Sequence, residues 1–279
     1  MCPEAAGMGH SDTVFSGSIP EVYDRDLGPF LFAPYAADIA ARVAERRVSR
    51  VLETAAGTGI VTAALLRALG DGATIVATDL NEGMIAYGAA RVSAPHLSWL
   101  RADAMALPFA DGSFDAVVCQ FGVMFMPDQT LAFREARRVL APDGRFIFNV
   151  WGDIADNVIS RICSDTAEAA FPDDPPRFLR RTPFGHHDCA ALERGLRDAG
   201  FPEVAMETVD KRSAPSARSA ATGLLQGSPL RSEIEARDPS RLAEITAAAA
   251  RAIAVACGNG SPDGRAEGGM RAHVFTARR

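Results

Sequence analysis

The chain of 279 residues is 48% hydrophobic and 23% charged, enough apolar material for one large core domain with substantial additions. Its net charge of -6, with Lys211 the single lysine, excludes the clustered cations that binding to a phosphate backbone requires, so no nucleic-acid partner is expected. Five cysteines (Cys2, Cys119, Cys163, Cys189 and Cys257) are scattered without a CxxC pair or metal-ligand spacing, so free thiols in a reducing cytoplasm are expected and no metal is.

Residues 1–20 are small and polar and read as a mobile arm without the apolar run of a leader peptide. From Val22 the chain turns apolar, and the spacing of Phe32, Tyr35, Ile39 and Val43 predicts a helix near 33–46. An alternation of strands and helices then begins. Arg50–Glu53 reads as a first strand and 59–69 as a helix stopped at Gly70-Asp71-Gly72. Thr74–Thr78 is a second strand, followed by a helix from Glu82 to Val92 and a third strand over Leu97–Arg101. Phe114–Gln120 is the fourth, followed by a helix over Gln129–Leu140, a turn at Pro142-Asp143-Gly144 and a fifth strand over Arg145–Trp151. This order implies right-handed βαβ units and a parallel sheet covered on both faces.

Beyond Trp151 the pattern loosens. Asp188–Gly200 reads as a helix and Glu203–Val209 as a sixth strand. Residues 213–268 form a helical insertion striped by Leu242, Ile245, Ala249 and Ile253, and Arg271–Ala277 is the last strand. No stretch approaches the ~18 uninterrupted apolar residues of a membrane helix, so no membrane span is expected. The implied organisation is an arm with a cap helix (1–48), a ligand-binding core (49–151) and a cover with the remaining strands (152–279).

The chemistry concentrates in Val51-Leu52-Glu53-Thr54-Ala55-Ala56-Gly57-Thr58-Gly59, a strand, a tight turn and a helix start. Small residues there let backbone approach a ligand, with helix N–H groups facing it. Asp79 closes the second strand, where a carboxylate can accept from ribose hydroxyls; the same position also suits a helix N-cap, or a companion to one at Asn81. Glu53 beside the glycines would repel a pyrophosphate but would meet an ammonium or sulfonium. The positions of a G-x-G-x-x-G motif hold Ala55, Gly57 and Ile60. The turn therefore favours S-adenosylmethionine over NAD.

On these residues the sequence resembles the class I S-adenosylmethionine-dependent methyltransferases, in particular the small-molecule group that includes the ubiquinone and menaquinone C-methyltransferases. Glu53, Gly57 and Gly59 match the family's first motif, with Ala55 in place of its first glycine, and Asp79 matches the ribose acid, with Leu80 packing on the adenine. Arg101–Phe109 resembles the third motif, which implies that Asp103 accepts from the adenine amino group and Ala104 offers its backbone N–H. Phe114–Gln120 resembles the fourth strand, with Gln120 and Phe121 below the cofactor, and Arg137–Arg145 the passage into strand five. Val22-Tyr23-Asp24 is similar to a pair whose tyrosine reaches over the cofactor's carboxylate end, though Tyr23 also reads as a packing aromatic. The resemblance implies a Rossmann-like α/β fold: a seven-stranded, mostly parallel sheet with helices on both faces, an N-terminal helical arm and a helical insertion before the last strand.

The apolar run Gln120–Met126 then falls beside the transferable methyl and points to a hydrophobic or aromatic small-molecule acceptor, methylated on oxygen or carbon. The Asn/Asp-Pro-Pro-Tyr/Phe motif of many amino-group methyltransferases is missing. His186 and His187 are candidates for a general base, or for surface residues of a loop before a cap at Asp188; Arg177, Arg180 and Arg181 either hold an acidic acceptor or form a solvated face. A non-catalytic cofactor-binding module and an NAD(P)-dependent oxidoreductase are the competing readings, and a homodimer is left open.

Overall fold

The computed structural model describes residues 19–279. Residues 1–18, most of the expected arm, lie outside it.

Strands β1 (Arg50–Glu53), β2 (Thr74–Asp79), β3 (Leu97–Arg101), β4 (Phe114–Gln120), β5 (Leu140–Trp151), β6 (Glu203–Ser213) and β7 (Gly268–Arg278) form one seven-stranded sheet in the order β3-β2-β1-β4-β5-β7-β6. β1 is parallel to β2 and β4, and these to β3 and β5; only β7 is antiparallel to its neighbours. The chain thus leaves β1 toward β2 on one side and returns to β4 on the other. The two crossovers diverge at the carboxyl end of β1, and a crevice opens where they part. The expected Rossmann-like architecture is present.

Alternation along β4 and β5 sorts the core. Ala116, Val118 and Ile147 pack on one face with Ile39, Val43, Val51, Leu65 and Ile75, under α2 (Ala33–Ala44) and α3 (Ile60–Leu69). Val117, Phe146 and Phe148 pack on the other with Phe133 of α5 (Gln129–Val139) and Leu192 and Leu196 of α8 (Cys189–Asp198). On that face Phe148 stacks on Phe275 at 4.9 Å. α4 (Glu82–Arg91) connects β2 to β3.

Two departures from the expected elements have local causes. The expected helix near 33–46 is α2, but helix also precedes it, from α1 (Ile19–Val22) through a π-helical stretch, Tyr23–Phe32, into α2. Pro29 lies inside that stretch, and the wider turn accommodates the residue that has no N–H to give. The turn at Pro142–Gly144 is not a break before β5. Pairing with β4 jumps from Phe114↔Leu140 to Ala116↔Arg145, so the turn is an excursion within one long strand, with Asp143 at φ 64°.

The cover is built from both ends of the chain. The insertion holds α9 (Ala217–Gln226), α10 (Leu230–Arg237) and α11 (Leu242–Cys257), while α6 (Val158–Ala170) and α7 (Phe178–Arg181) occupy the region after β5. α9 lies on the N-terminal helix because Gly223 leaves room for it: a Cβ there would stand 2.6 Å from Leu27 Cδ2 and 3.1 Å from the Asp26 backbone. Ser219 Oγ donates to Asp26 Oδ1 at 2.8 Å beside this contact. Tyr35, completely buried, ties α2 to the antiparallel strands by donating to the carbonyls of Met270 at 3.0 Å and Val209 at 3.2 Å. Among the described residues no helix is long and apolar enough to cross a membrane.

Gly223→Val should therefore push α9 off the N-terminal helix. We expect a loss of about 1–3 kcal/mol in chemical denaturation, the usual cost of overpacking a tight contact, and no loss would contradict the close approach.

Candidate active site

The crevice is assembled from the turn after β1. Glu53 ends the strand; Thr54 N–H then donates to Val118 O of β4 at 2.9 Å, and Ala56 N–H to Thr78 O of β2 at 2.9 Å. The turn is thus pinned to both neighbouring strands. Its path requires left-handed backbone at Ala55 (φ 55°), Gly57 (φ 57°) and Gly59 (φ 87°). Only Ala55 carries a methyl there, at a cost of order 1 kcal/mol. Space for that methyl comes from Gly122, where a Cβ would stand 2.5 Å from Ala55 Cβ and 2.7 Å from Cys119 Sγ.

Asp79 closes the far side. Its carboxylate accepts from Gly57 N–H at 2.9 Å and Asn81 N–H at 2.8 Å. It is not the N-cap of α4: Asn81 fills that place, accepting from Met84 N–H at 3.2 Å. Burial raises Asp79 above the usual carboxylate range against the pull of these donors. Glu53 is buried and accepts from Thr62 Oγ1 at 2.6 Å. Burial pushes it up to about 8, with the neighbouring charge of Asp79 adding to the rise and the Thr62 bond opposing it. The phenol of Tyr23, raised by burial and by Asp79 and Asp24, is stacked on Phe32 at 4.7 Å.

The third wall is the loop after β3. Asp103 Oδ1 accepts from Met105 N–H at 2.8 Å and Ala106 N–H bonds Asp103 O at 3.0 Å, which folds the loop on itself. Arg138 anchors it, donating to Leu107 O at 2.9 Å and Phe109 O at 2.7 Å, while Glu135 accepts from Leu107 N–H at 2.8 Å. At the end of β4, Gln120 Nε2 donates to Phe32 O at 3.2 Å, and its buried Oε1 has no partner among the described residues.

These walls enclose a cavity of about 310 Å³. Tyr23, Ala55, Gly57, Asp79, Leu80, Asp103, Ala104, Gln120 and Phe121 all line it. Asn81, Met84, Met105, Gly122, Phe125, Met126 and Pro127 line it as well. Glu53 lines a recess of about 30 Å³ shared with Tyr23, Ala55, Gly57 and Gln120. Gly59 faces an outer groove with Ile60 and Arg67 instead. A further recess of about 60 Å³ adjoins through Tyr23, Phe121 and Phe125, and is lined by Phe32, Trp151, Phe178, Phe184, Leu27 and Leu224 among others. Much of this aromatic cage was missed in the sequence, because Phe32, Trp151, Phe178 and Phe184 read there only as apolar residues of separate segments.

His186 and His187 are not brought in: neither lines these spaces. His186 Nδ1 meets Gln129 Nε2 at 3.2 Å, with burial and then His187 lowering its pKa. His187 is exposed, its Nδ1 2.8 Å from Phe184 O. Of the arginines read as holding an acidic acceptor or forming a solvated face, two are paired with acids of the cover. Arg180 pairs with Asp165 and Glu168, and Arg181 with Glu233 at 2.7 Å.

The site suits a ligand that carries a cation and hydroxyls. Gln120 and Glu53 line the recess, Asp79 lines the main cavity, and Ala55 and Gly122 line that cavity where their turns meet. Residues 52–148 match the methyltransferase domain family. Over 175 residues the chain is 32% identical to the ubiquinone/menaquinone biosynthesis C-methyltransferase UbiE of Pectobacterium carotovorum, spanning 57% of this chain and 68% of that protein. The chain belongs to the class I S-adenosylmethionine-dependent methyltransferases. The Escherichia coli UbiE protein is 31% identical over the same shares. Two solved structures have the same fold. YcgJ of Bacillus subtilis has a TM-score of 0.54 at 16% identity and covers 88% of this chain and 98% of its own. Phosphoethanolamine N-methyltransferase 2 of Haemonchus contortus, bound to S-adenosylhomocysteine, has a TM-score of 0.59 at 16% identity, covering 93% and 56%. This chain is thus an enzyme, and its cofactor is S-adenosylmethionine.

For this methyltransferase, S-adenosylhomocysteine at a hundred times its dissociation constant should add about 2.7 kcal/mol to unfolding stability. Gly122→Ala drives two turns apart at the cavity floor, and the thermal shift with S-adenosylhomocysteine should vanish while the variant still unfolds cooperatively.

Proposed function

We propose that this methyltransferase transfers the methyl group to a carbon atom of a small, uncharged hydrophobic or aromatic acceptor. The observation that carries this reading is the aromatic cage, which adjoins the cofactor cavity through Tyr23, Phe121 and Phe125 and has no charged side chain in its lining among the described residues. Its one hydroxyl besides the Tyr23 phenol belongs to Ser228, already occupied in donating to Leu224 O at 2.7 Å. An apolar box of this kind selects ligands by shape and by the cost of burying charge. The names of the UbiE relatives support carbon over oxygen.

In this reading Asp79 holds the ribose hydroxyls, Asp103 the adenine amino group and Ala104 N–H a ring nitrogen, with Leu80 against the adenine. Glu53 and Gln120 Oε1 receive the ammonium of the methionine end, and Tyr23 covers its carboxylate side. When bound, the cofactor supplies a methyl already activated on a sulfonium. The chain's task is alignment and exclusion of water, worth up to ~7–11 kcal/mol when the reacting atoms are held in line. Phe121, Phe125 and Tyr23 perform it as the wall shared by both spaces. The acceptor carbon must bring its own electron density, as the ring of a phenol or hydroquinone does, and the proton displaced from that ring carbon passes to water, since no carboxylate or imidazole lines the cage among the described residues.

Glu53 gives this reading a pH signature. In the free protein the acid keeps its proton below about 8, whereas a bound ammonium favours the carboxylate, so binding expels a proton. Affinity for S-adenosylhomocysteine should then fall as pH drops below about 8, by at most tenfold per unit. Glu53→Gln should flatten that slope, measured by calorimetry in buffers of different ionisation enthalpy; an unchanged slope in the variant would remove Glu53 from the role. The same rise makes Glu53 a burden on the unliganded fold, whose stability is lost as pH climbs from the acid's ordinary 4.5 toward 8.

The acceptor is tested with labelled S-adenosylmethionine and a panel of hydroxylated aromatics, amines and charged acids, the position of the new methyl being read by NMR. Methyl appearing on nitrogen, or only on charged acceptors, would sink the proposal. Phe184→Leu should raise KM for the acceptor on the order of tenfold, as reshaping an apolar pocket does, and leave S-adenosylhomocysteine binding unchanged.

A further inference from the structure

Phe121 is an outlier. It is an aromatic residue at φ 50°, in the left-handed region that favours glycine, and it is buried. Its ring stacks on Trp151 with centroids 3.8 Å apart and planes 5° from parallel, and meets the edge of Tyr35 at 5.4 Å. Because of this backbone turn, the ring forms the wall between cofactor cavity and cage, and Gly122 is brought against Ala55.

The contact that holds the turn comes from β5. Phe121 N–H donates to Asn149 Oδ1 at 3.0 Å as well as to Asn149 O at 3.2 Å. Asn149 is completely buried in an otherwise apolar run, Phe146-Ile147-Phe148-Asn149-Val150. Its Nδ2 has no hydrogen-bond partner among the described residues. A buried carboxamide with one end unsatisfied is a poor way to stabilise a strand, where leucine would fill the space without an orphaned donor. Rules of this kind are broken where a site requires it.

We propose that Asn149 is a positioning residue for methyl transfer: its side-chain oxygen holds Phe121 in the left-handed conformation that places the shared wall and presses Gly122 onto the cofactor turn. It touches neither cavity and acts through the Phe121 backbone. The proposal rests on Phe121 as the dividing wall but not on the identity of the acceptor.

The test is a double-mutant cycle read by titration with S-adenosylhomocysteine, which needs no acceptor. Asn149→Leu should keep or raise the thermal midpoint yet weaken S-adenosylhomocysteine at least tenfold. Asn149→Asp, which keeps the acceptor oxygen, should restore affinity to within a few-fold. In a Phe121→Gly background, where the left-handed turn needs no support, Asn149→Leu should have no further effect. Wild-type affinity in Asn149→Leu, or an equal loss with and without Phe121→Gly, overturns the proposal. If Asn149→Leu alone does not fold, the Asp variant decides between the same two outcomes: a loss of affinity equal in both backgrounds rejects the role, and a restored affinity supports it.

Discussion

Two turns, one after β1 and one after β4, meet at Ala55 and Gly122 with no room for another carbon atom between them. The rest of the site depends on that approach. It requires left-handed backbone on both sides, at Ala55 and at Phe121, and neither residue adopts it without support. The support is the sheet: Thr54 and Ala56 are pinned to β4 and β2, and Phe121 to β5. Strain at the crevice is thus held by parallel strands buried on both faces, which do not yield at the scale of the contact. In turn, the Gly57 N–H is aimed at Asp79 and the cavity floor is narrow enough for backbone to reach a ligand.

Burial gives the cavity its electrostatic character. Glu53 and Asp79 are two acids in one apolar setting, each raised in pKa by burial, with the charge of Asp79 further disfavouring ionisation of Glu53. Left alone they cost stability. A ligand with a cation at one end and hydroxyls in the middle relieves that cost, so the same burial that burdens the free fold sharpens the preference for this cofactor. A pyrophosphate would add charge of the wrong sign, which is the physical ground on which a dinucleotide fails here.

The aromatic recess is made of segments remote in the chain. Tyr23 and Phe32 come from the N-terminal helix, Phe121 from the end of β4, Trp151 from β5, Phe178 and Phe184 from the region around α7, and Leu224 from the insertion. Gly223 and Ser219 join the insertion to the N-terminal helix, so the two covers pack as one.

The sequence by itself determined the order of strands and helices to within a few residues and the turn after β1; of the residues it named for the cofactor, Tyr23, Ala55, Gly57, Asp79, Leu80, Asp103, Ala104, Gln120 and Phe121 line one cavity, while Glu53 and Gly59 stand just outside it. Those features are local: periodicity sets the element and small residues mark the turn, so neighbours in sequence suffice. Pro142–Gly144 misled because a turn before a strand and an excursion within one share the same residues. Only the tertiary structure decided that neither His186 nor His187 lines these spaces, that Arg180 and Arg181 are paired with acids on α6 and α10, and that seven aromatics from four segments surround one space. Where a side chain points is fixed by partners distant in the chain, and no spacing along the chain encodes them.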